Sequence, residues 1–193
     1  VKYVFMTGRG AGCESDVRRE LEDKVLPILH QTNTDNGIIY TTTYFASNEK
    51  TPLNTETLCG TEMYAADASG MGFMFTDAQQ KEADASLERE KERQAAETVV
   101  MHIRFSIRNT EKTPRYAFVH LPDLLMFRSS ITDGRPVPEF DSESGLGLLP
   151  SGLVYLAAKC SNGERLQNEM SILVMPDDVI NIDCVIPHTP VPR

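Results

Sequence analysis

The sequence predicts a β-rich α+β protein built on an antiparallel β-sandwich, immunoglobulin-like or jelly-roll-like, with one N-terminal helix and one polar inserted helix. Residues 98–108 alternate apolar and polar side chains almost without interruption, as a strand with one solvated face requires. From Thr98 onward, five strand candidates follow one another through turns without a helical pattern between them. That order favours antiparallel pairing in a sandwich or barrel.

Length and composition agree with this fold class. Hydrophobic residues make up 40% of the chain and charged residues 24%, which is ordinary for a globular protein. We expect a single domain over residues 1–193, which is long enough for a core of normal size. Within it we expect four segments: strand-helix-strand over 1–45, a loop and polar helix insertion over 46–97, the sandwich region over 98–187, and a proline-rich tail over 188–193.

The first segment begins with an apolar strand at residues 2–7, which leads into a glycine-rich loop. A helix is predicted from Asp16, with Ser15 as its N-cap and Pro27 near its end. Its apolar positions recur at helical spacing, at Val17, Leu21, Val25 and Ile28. Turn residues at 33–37 separate this helix from a second strand at residues 38–45, which is rich in β-branched and aromatic residues.

The insertion begins with a segment over residues 46–75 that is interpreted as a loop, with room for one strand, and a polar helix follows. Thr76 and Gln79 have the spacing of a capping box. The predicted helix extends from Asp77 to about Ala96, and Leu87 is its only large aliphatic side chain. A helix that is polar all round is solvated or bridges to another body. In the second case we expect it to dock on a neighbouring subunit through a face formed by Ala83, Leu87 and Ala95.

The remaining strands are predicted to pair in sequence order. Residues 115–121 are expected to pair with residues 98–108 across a polar turn, and Pro122 is expected to end that strand. Asn162 and Gly163 predict a hairpin between residues 153–160 and 165–174, because both residue types tolerate positive φ. Residues 179–186 alternate again and predict the last strand.

The glycine-rich loop is the one motif that resembles a binding site. Backbone N–H groups of a glycine loop before a helix can approach a phosphate, and the candidate residues here are Gly8, Arg9, Gly10, Gly12 and Ser15. The glycine spacing matches neither the dinucleotide fingerprint nor the P-loop, however, so a flexible turn is the favoured interpretation. Parallel pairing of the strands at 2–6 and 38–45 would favour a ligand site at this turn.

Other combinations of polar residues are weaker. His102, His120, Arg104 and Arg115 could share one sheet face, although ordinary outward positions on a solvated sheet are the favoured interpretation. An acidic loop contains Asp133, Glu139, Asp141 and Glu143, but it lacks the calcium-loop pattern. The four cysteines, Cys13, Cys59, Cys160 and Cys184, lack zinc spacing and are interpreted as free thiols. Cys160 and Cys184 could form a disulfide if their strands are neighbours. We therefore expect no metal, no cofactor and no catalytic residues.

The formal charge of -9 argues against nucleic acid or an anionic membrane as the principal partner. No apolar stretch approaches the roughly 20 residues that a membrane helix needs. We expect a soluble structural or interaction protein: a subunit of a viral shell or a cellular complex, bound to protein subunits of a homo- or hetero-oligomer through its loops, polar helix and tail. A reducing compartment such as the cytoplasm, or a virion, is favoured over secretion. The alternative is a small α/β enzyme, or a nucleotide- or phosphate-binding protein that uses the Gly8 to Gly12 loop.

Overall fold

The computed structural model describes residues 3–10, 17–52, 68–70, 72–94, 98–124 and 138–193. The chain divides into two compact units, one formed by Val1–Ala46 with Met101–Arg193 and the other by Ser47–Val100. Strands dominate the described residues, and they are joined by a 3-10 turn at Glu22–Lys24 and one long α-helix. In chain order the elements are β1 Tyr3–Thr7, β2 Arg18–Leu21, β3 Leu29–Asp35, β4 Ile38–Asn48, β5 Ala68–Gly70, β6 Gly72–Met74, α1 Asp77–Gln94, β7 Val99–Asn109, β8 Arg115–Leu124, β9 Glu139–Asp141, β10 Leu146–Leu148, β11 Val154–Cys160, β12 Glu169–Val174 and β13 Val179–Pro187.

The first unit is an antiparallel β-sandwich, as the sequence predicts. Its larger sheet has eight strands in the order β2-β3-β4-β7-β13-β11-β10-β9, and its smaller sheet has three in the order β1-β8-β12. The inner faces of both sheets supply the core, with Phe105 and Ile182 from the larger sheet and Val119 and Ile172 from the smaller one. Tyr40, fully buried on β4, accepts a hydrogen bond from the Phe118 N–H of β8 at 3.1 Å. The sandwich is therefore joined by hydrogen bonding as well as by apolar packing.

The faces of β7 and β13 agree with the alternation in the sequence. Ile103, Phe105 and Ile107 are buried on β7, and Arg104 and Arg108 are exposed. On β13 the even-numbered residues from 180 to 186 are buried. The alternation on β7 weakens at its start, where Met101 is 38% exposed.

The predicted N-terminal helix is wrong. Residues 11–16, including its expected N-cap Ser15, lie outside the described residues, but the chain that follows forms β2, a 3-10 turn and β3. Val25, which was expected on the apolar stripe, is 76% exposed. The signal for β3 was obscured because two of its inward residues, Asn33 and Asp35, are polar as well as buried.

The predicted strand pairings are also wrong, although most of the strands exist. β1 pairs with β8, and β1 and β4 lie in different sheets, so the parallel pairing that would favour a ligand site at the glycine turn is not formed. β7 and β8 lie in different sheets, as do β11 and β12. The segments at 110–114 and 161–168 are therefore crossings between the sheets, and neither closes a hairpin. Local pattern predicts a strand and its buried face, but the partner is chosen by the packing of the two sheets.

The strand β8 continues through Pro122 to Leu124, past its expected end. Proline cannot donate to a ladder, so it is tolerated in a sheet only where no donor is needed. The register of β1 against β8 shifts between Val4 and Met6, opposite this part of β8. Pro122 therefore lies beside an irregularity of the ladder, and its ring is fully buried.

Candidate interaction surface

Arg9 in the glycine loop binds a carboxylate of the same chain, that of Asp35. The Gly8 N–H donates to the carbonyl of Phe118 at 2.9 Å. The Arg9 N–H donates to Asp35 Oδ2 at 3.0 Å, and the Arg9 guanidinium holds both oxygens of the same carboxylate, with Nη2 to Oδ1 at 2.6 Å. Two of the candidate phosphate-binding residues, Gly8 and Arg9, are thus hydrogen-bonded within the chain. Gly10 has a positive φ of 125°. Gly12 and Ser15 lie outside the described residues.

These contacts connect the two sheets. Thr7, at the end of β1, donates its hydroxyl to Asn33 Oδ1 on β3 at 2.9 Å. Arg9, two residues later, pairs with Asp35 on the same strand. Buried polar groups need such partners, since an unpaired one costs about 1 to 3 kcal/mol. The loop therefore satisfies the polar inward residues of β3, which gives this turn a structural role.

The two histidines predicted on one sheet face are separated. His102 on β7 stacks against Phe45 in the larger sheet, with ring centroids 4.8 Å apart. His120 is on β8 in the smaller sheet, where its Nδ1 lies 3.8 Å from a carboxylate oxygen of Glu169. Arg104, expected beside the histidines, forms an ion pair with Asp183 on β13 at 2.6 Å. No shared histidine-arginine site is formed by these residues.

The outer face of the three-stranded sheet carries neighbouring apolar side chains that are exposed. Two cross-strand rows run over β8 and β12, in which Tyr116 faces Leu173 and Phe118 faces Ser171. Tyr116 is 57% exposed, Leu173 is 46% exposed, and Met175, just after β12, is 48% exposed. We call Tyr116, Phe118, Leu173 and Met175 the apolar row. Exposed contiguous apolar side chains on a sheet are typical of binding surfaces.

A shallow groove continues from the apolar row towards the glycine loop. It has a volume of about 460 Å³, and the residues that line it include Met6, Phe118, His120, Glu169 and Ser171. The Nε2 atom of His120 is buried without a hydrogen-bond partner among the described residues. The groove thus brings apolar side chains together with the imidazole of His120 and the carboxylate of Glu169.

The edges of the two sheets also differ. Charged residues occupy both edges of the larger sheet, namely Arg18, Arg19 and Glu20 on β2, and Glu139 and Asp141 on β9. The register shift in β1 interrupts one edge of the smaller sheet. The other edge among the described strands, β12, pairs with β8 without a shift and carries no charge from Met170 to Val174. Charges and bulges commonly prevent an edge from pairing with another chain, and β12 has neither over this length.

The polar helix forms as predicted over Asp77–Gln94. Its capping box is reciprocal, since the Thr76 N–H donates to Gln79 Oε1 at 3.0 Å and the Gln79 N–H donates to Thr76 Oγ1 at 3.3 Å. Leu87 is 48% exposed, Ala83 is half-buried and Ser86 is buried. Ala95, the third residue of the expected docking face, lies outside the described residues. The helix therefore exposes its only large aliphatic side chain.

The proline-rich tail is bound to its own chain. Val191 and Val154 exchange two backbone hydrogen bonds, at 2.8 and 3.0 Å. Arg193 reaches Asp141 with a distance of 3.2 Å between Nη2 and Oδ2. The expectation that the tail extends to a neighbouring subunit is not supported by these contacts.

The described cysteines are both buried free thiols. Cys160 on β11 and Cys184 on β13 lie on neighbouring strands, but their register partners are Ile182 and Ala158, so the two are offset. Burial raises the pKa of Cys184 to about 12, with a contribution from Asp183. The Cys160 Sγ donates to Asn162 Oδ1 at 2.9 Å. Cys13 and Cys59 lie outside the described residues.

Sequence reasoning missed the apolar row, although a signal for it was present. Both β8 and β12 alternate with a period of two, and Tyr116, Phe118 and Leu173 are large apolar residues at outward positions. Within the described ranges, no cluster of three or more potential metal ligands occurs, and no helix is long and apolar enough to cross a membrane. Comparison of the chain with protein-family models, curated proteins and solved structures gives no match.

Proposed function

We propose that this protein is an interaction module, a subunit of a larger protein assembly of the kind found in viral shells and cellular complexes. A partner protein covers the outer face of its three-stranded sheet. The observation that carries the proposal is the apolar row, because Tyr116 and Leu173 lie side by side on adjacent strands and remain largely exposed. Aromatic and large aliphatic side chains of this kind form the buried centre of protein interfaces.

The charges support a protein partner over other classes. The chain has a formal charge of -9, which repels phosphate backbones and anionic lipids. Exposed apolar side chains next to an uncharged edge strand suit a protein surface, because apolar burial and main-chain hydrogen bonds drive protein association. The two buried free thiols agree with a reducing compartment or a virion interior.

The polar helix is a second contact in this proposal. Leu87 is exposed on α1 and can be buried by a neighbouring subunit. The tail is not included, since Val191 and Arg193 are bound to their own chain. The phosphate-binding alternative loses its support because Gly8 and Arg9 already donate to Phe118 and Asp35.

The experiment measures mass in solution. Size-exclusion chromatography with light scattering, on protein isolated natively, is expected to show a mass well above the 21.5 kDa of one chain. Tyr116→Lys and Leu173→Lys should each reduce this mass to that of one chain, because a lysine cannot be buried unpaired at an interface. The matched control is Val25→Lys, which places the same side chain at an apolar position that is 76% exposed on a turn.

Thermal melting of each variant shows whether the fold is retained. Association that is lost in both sheet variants and kept in Val25→Lys supports the proposal. A single-chain mass for the natively isolated protein, or equal loss in all three variants, would overturn it.

A further inference from the structure

The hydrogen-bond pattern of β12 shows which of its N–H and C=O groups do not bond to β8. The Leu121 N–H donates to the Asn168 carbonyl at 2.8 Å, one step beyond the strand. In an antiparallel ladder, hydrogen-bonded pairs alternate with non-bonded ones. The residues of β12 that bond to β8 are therefore Met170, Ile172 and Val174. The N–H and C=O groups of Glu169, Ser171 and Leu173 point to the other side, which is the sheet edge among the described strands.

This edge is uncharged in its middle and acidic at its ends. Ser171 and Leu173 are exposed and uncharged. Glu169 begins the strand with its side chain 79% exposed, and the exposed pair Asp177 and Asp178 follows its end. Arg115, opposite Val174, is 3.9 Å from Glu111 and so is already next to an acid. The edge is therefore a short uncharged segment with acidic groups at both ends.

A second copy of the chain fits this edge poorly. In an antiparallel pair of two β12 strands, the register that sets Leu173 against Leu173 brings Glu169 of one copy towards the turn of the other copy that carries Asp177, just after β12. Like charges brought close together at both ends of such a pair repel each other. The register centred on Ser171 separates the acids, but it sets Leu173 against Glu169 and leaves the apolar side chains unmatched.

We infer that β12 receives an extended strand from a partner protein, with apolar side chains at alternate positions and basic residues at both ends. This inference rests on the proposed function and names its binding mode. The incoming strand bonds to the N–H and C=O groups of Glu169, Ser171 and Leu173, which point away from β8 at the edge of the described sheet, and its apolar side chains lie beside Leu173. Its basic ends face Glu169 at one end and Asp177 with Asp178 at the other. Strand addition of this kind takes affinity from the main chain and specificity from alternate side chains.

The test uses synthetic peptides and the whole chain. The basic peptide has alternating valine and threonine in its middle and two lysines at each end, roughly nine residues at about 3.3 Å each, so that it spans β12. The acidic peptide replaces the lysines with glutamates. Two further peptides have the sequence of the basic peptide with N-methyl groups on alternate residues. Each of them blocks one of the two alternate sets of backbone amides. Binding is measured by calorimetry, and amide exchange is measured at Ser171 and Leu173.

The basic peptide is expected to bind at least about tenfold more tightly than the acidic one, a difference of about 1.4 kcal/mol. It should slow exchange at Ser171 and Leu173. One of the two N-methylated versions should lose binding, and the other should keep it. Equal binding of basic and acidic peptides, or equal binding of both N-methylated versions, would overturn the inference.

On the protein side, Ser171→Pro should abolish peptide binding. Its N–H points away from β8, so the proline removes no existing ladder bond. The control is Ser171→Thr, which keeps the N–H and should bind as the unmodified chain does. If Ser171→Pro melts before it can be measured, the N-methylated peptides still decide the question.

The failures of this inference and of the proposed function are distinguishable. If Tyr116→Lys and Leu173→Lys dissociate the native assembly while the peptides do not bind, the interaction function stands and strand addition is wrong. If the isolated chain forms a dimer that Ser171→Pro separates, the occupant of the edge is a second copy, and the inferred partner is wrong.

Discussion

The chain contains two Asn-Gly turns, and only one of them closes a hairpin. Asn36 and Gly37 have φ values of 50° and 78° and close a two-residue hairpin, in which Asp35 faces Ile38. At Asn162 and Gly163 only the glycine has a positive φ, of 77°, and the chain passes from β11 in one sheet to β12 in the other. The same dipeptide therefore predicts a turn in both places but a hairpin in only one.

The surroundings of the two turns explain the difference. The carbonyl of Gly37 accepts hydrogen bonds from the backbone and the hydroxyl of Thr110, each at 2.9 Å, so the crossing between β7 and β8 holds the hairpin. Asn162 instead accepts from the Glu164 N–H at 3.0 Å through its own side chain. An asparagine side chain that bonds to the backbone two residues on makes a local turn which does not require the flanking strands to pair.

The largest loss of stability is expected at Asn109, which holds the segment between β7 and β8 in place. Asn109 is fully buried, its Nδ2 donates to the carbonyls of Thr113 and Val174, and its Oδ1 accepts from the Glu111 N–H, each at 2.9 Å. Asn109→Ala should lower the free energy of unfolding by about 3 kcal/mol, because it leaves the buried carbonyl of Val174 and two part-buried backbone groups, at Glu111 and Thr113, without their partner. Urea denaturation provides the measurement.

Thr110→Ala is the control for this prediction, since the Thr110 N–H still donates to Gly37 when the hydroxyl is removed. We expect its effect to stay within about 0.5 kcal/mol. Similar losses in the two variants would mean that Asn109 does not organise the crossing.

The next effect concerns the closed hairpin. Gly37→Val places a β-branched residue at a φ of 78°, where its Cβ would also meet the side chain of Glu111. We expect a loss of about 2 to 3 kcal/mol from backbone strain and crowding together. Thr34→Val, at an exposed position of β3, is the control and should change little. A mild effect at Gly37 would show that the turn adapts without its contacts.

The open turn should be more tolerant. Gly163 has nearly the same φ as Gly37, but no atom lies within 4 Å of the position that a Cβ would take. Gly163→Val should therefore lower the free energy of unfolding by about 1 kcal/mol, from backbone strain alone. Glu164→Val adds the same side chain at the next residue and should be almost neutral. A thermal melt of Gly163→Val that equals that of Gly37→Val would remove the distinction between the turns.

The smallest effects are expected at the two asparagines. Asn36→Ala should cost about 1 kcal/mol, because alanine is disfavoured at positive φ. Asn162→Ala removes the acceptor of the exposed Glu164 N–H and of the Cys160 thiol, which is a weak donor, and should cost about 0.5 kcal/mol. Denaturation of the two variants side by side gives the comparison, and a reversed order would contradict the two turn geometries.

The sequence predicted more of the fold than of the site. Strands β7 and β13 and their buried faces were predictable, because residues 99–109 and 179–187 alternate with a period of two. The capping box of α1 was predictable for a similar local reason. Strand β3 was missed because Asn33 and Asp35 are inward polar residues, although the Asn36-Gly37 signal next to them could have identified its hairpin.

The sequence by itself determined the fold class, the positions of most strands and the sides of β7 and β13 that face the core. These properties follow from the period of the side chains and from turn chemistry, which act over a few residues. Only the tertiary structure decided that Arg9 binds Asp35, that β11 and β12 separate into different sheets, and that β12 is an edge strand without charge from Met170 to Val174. Those properties depend on which distant segments meet, and the packing of two sheets around one core settles that for the whole chain at once.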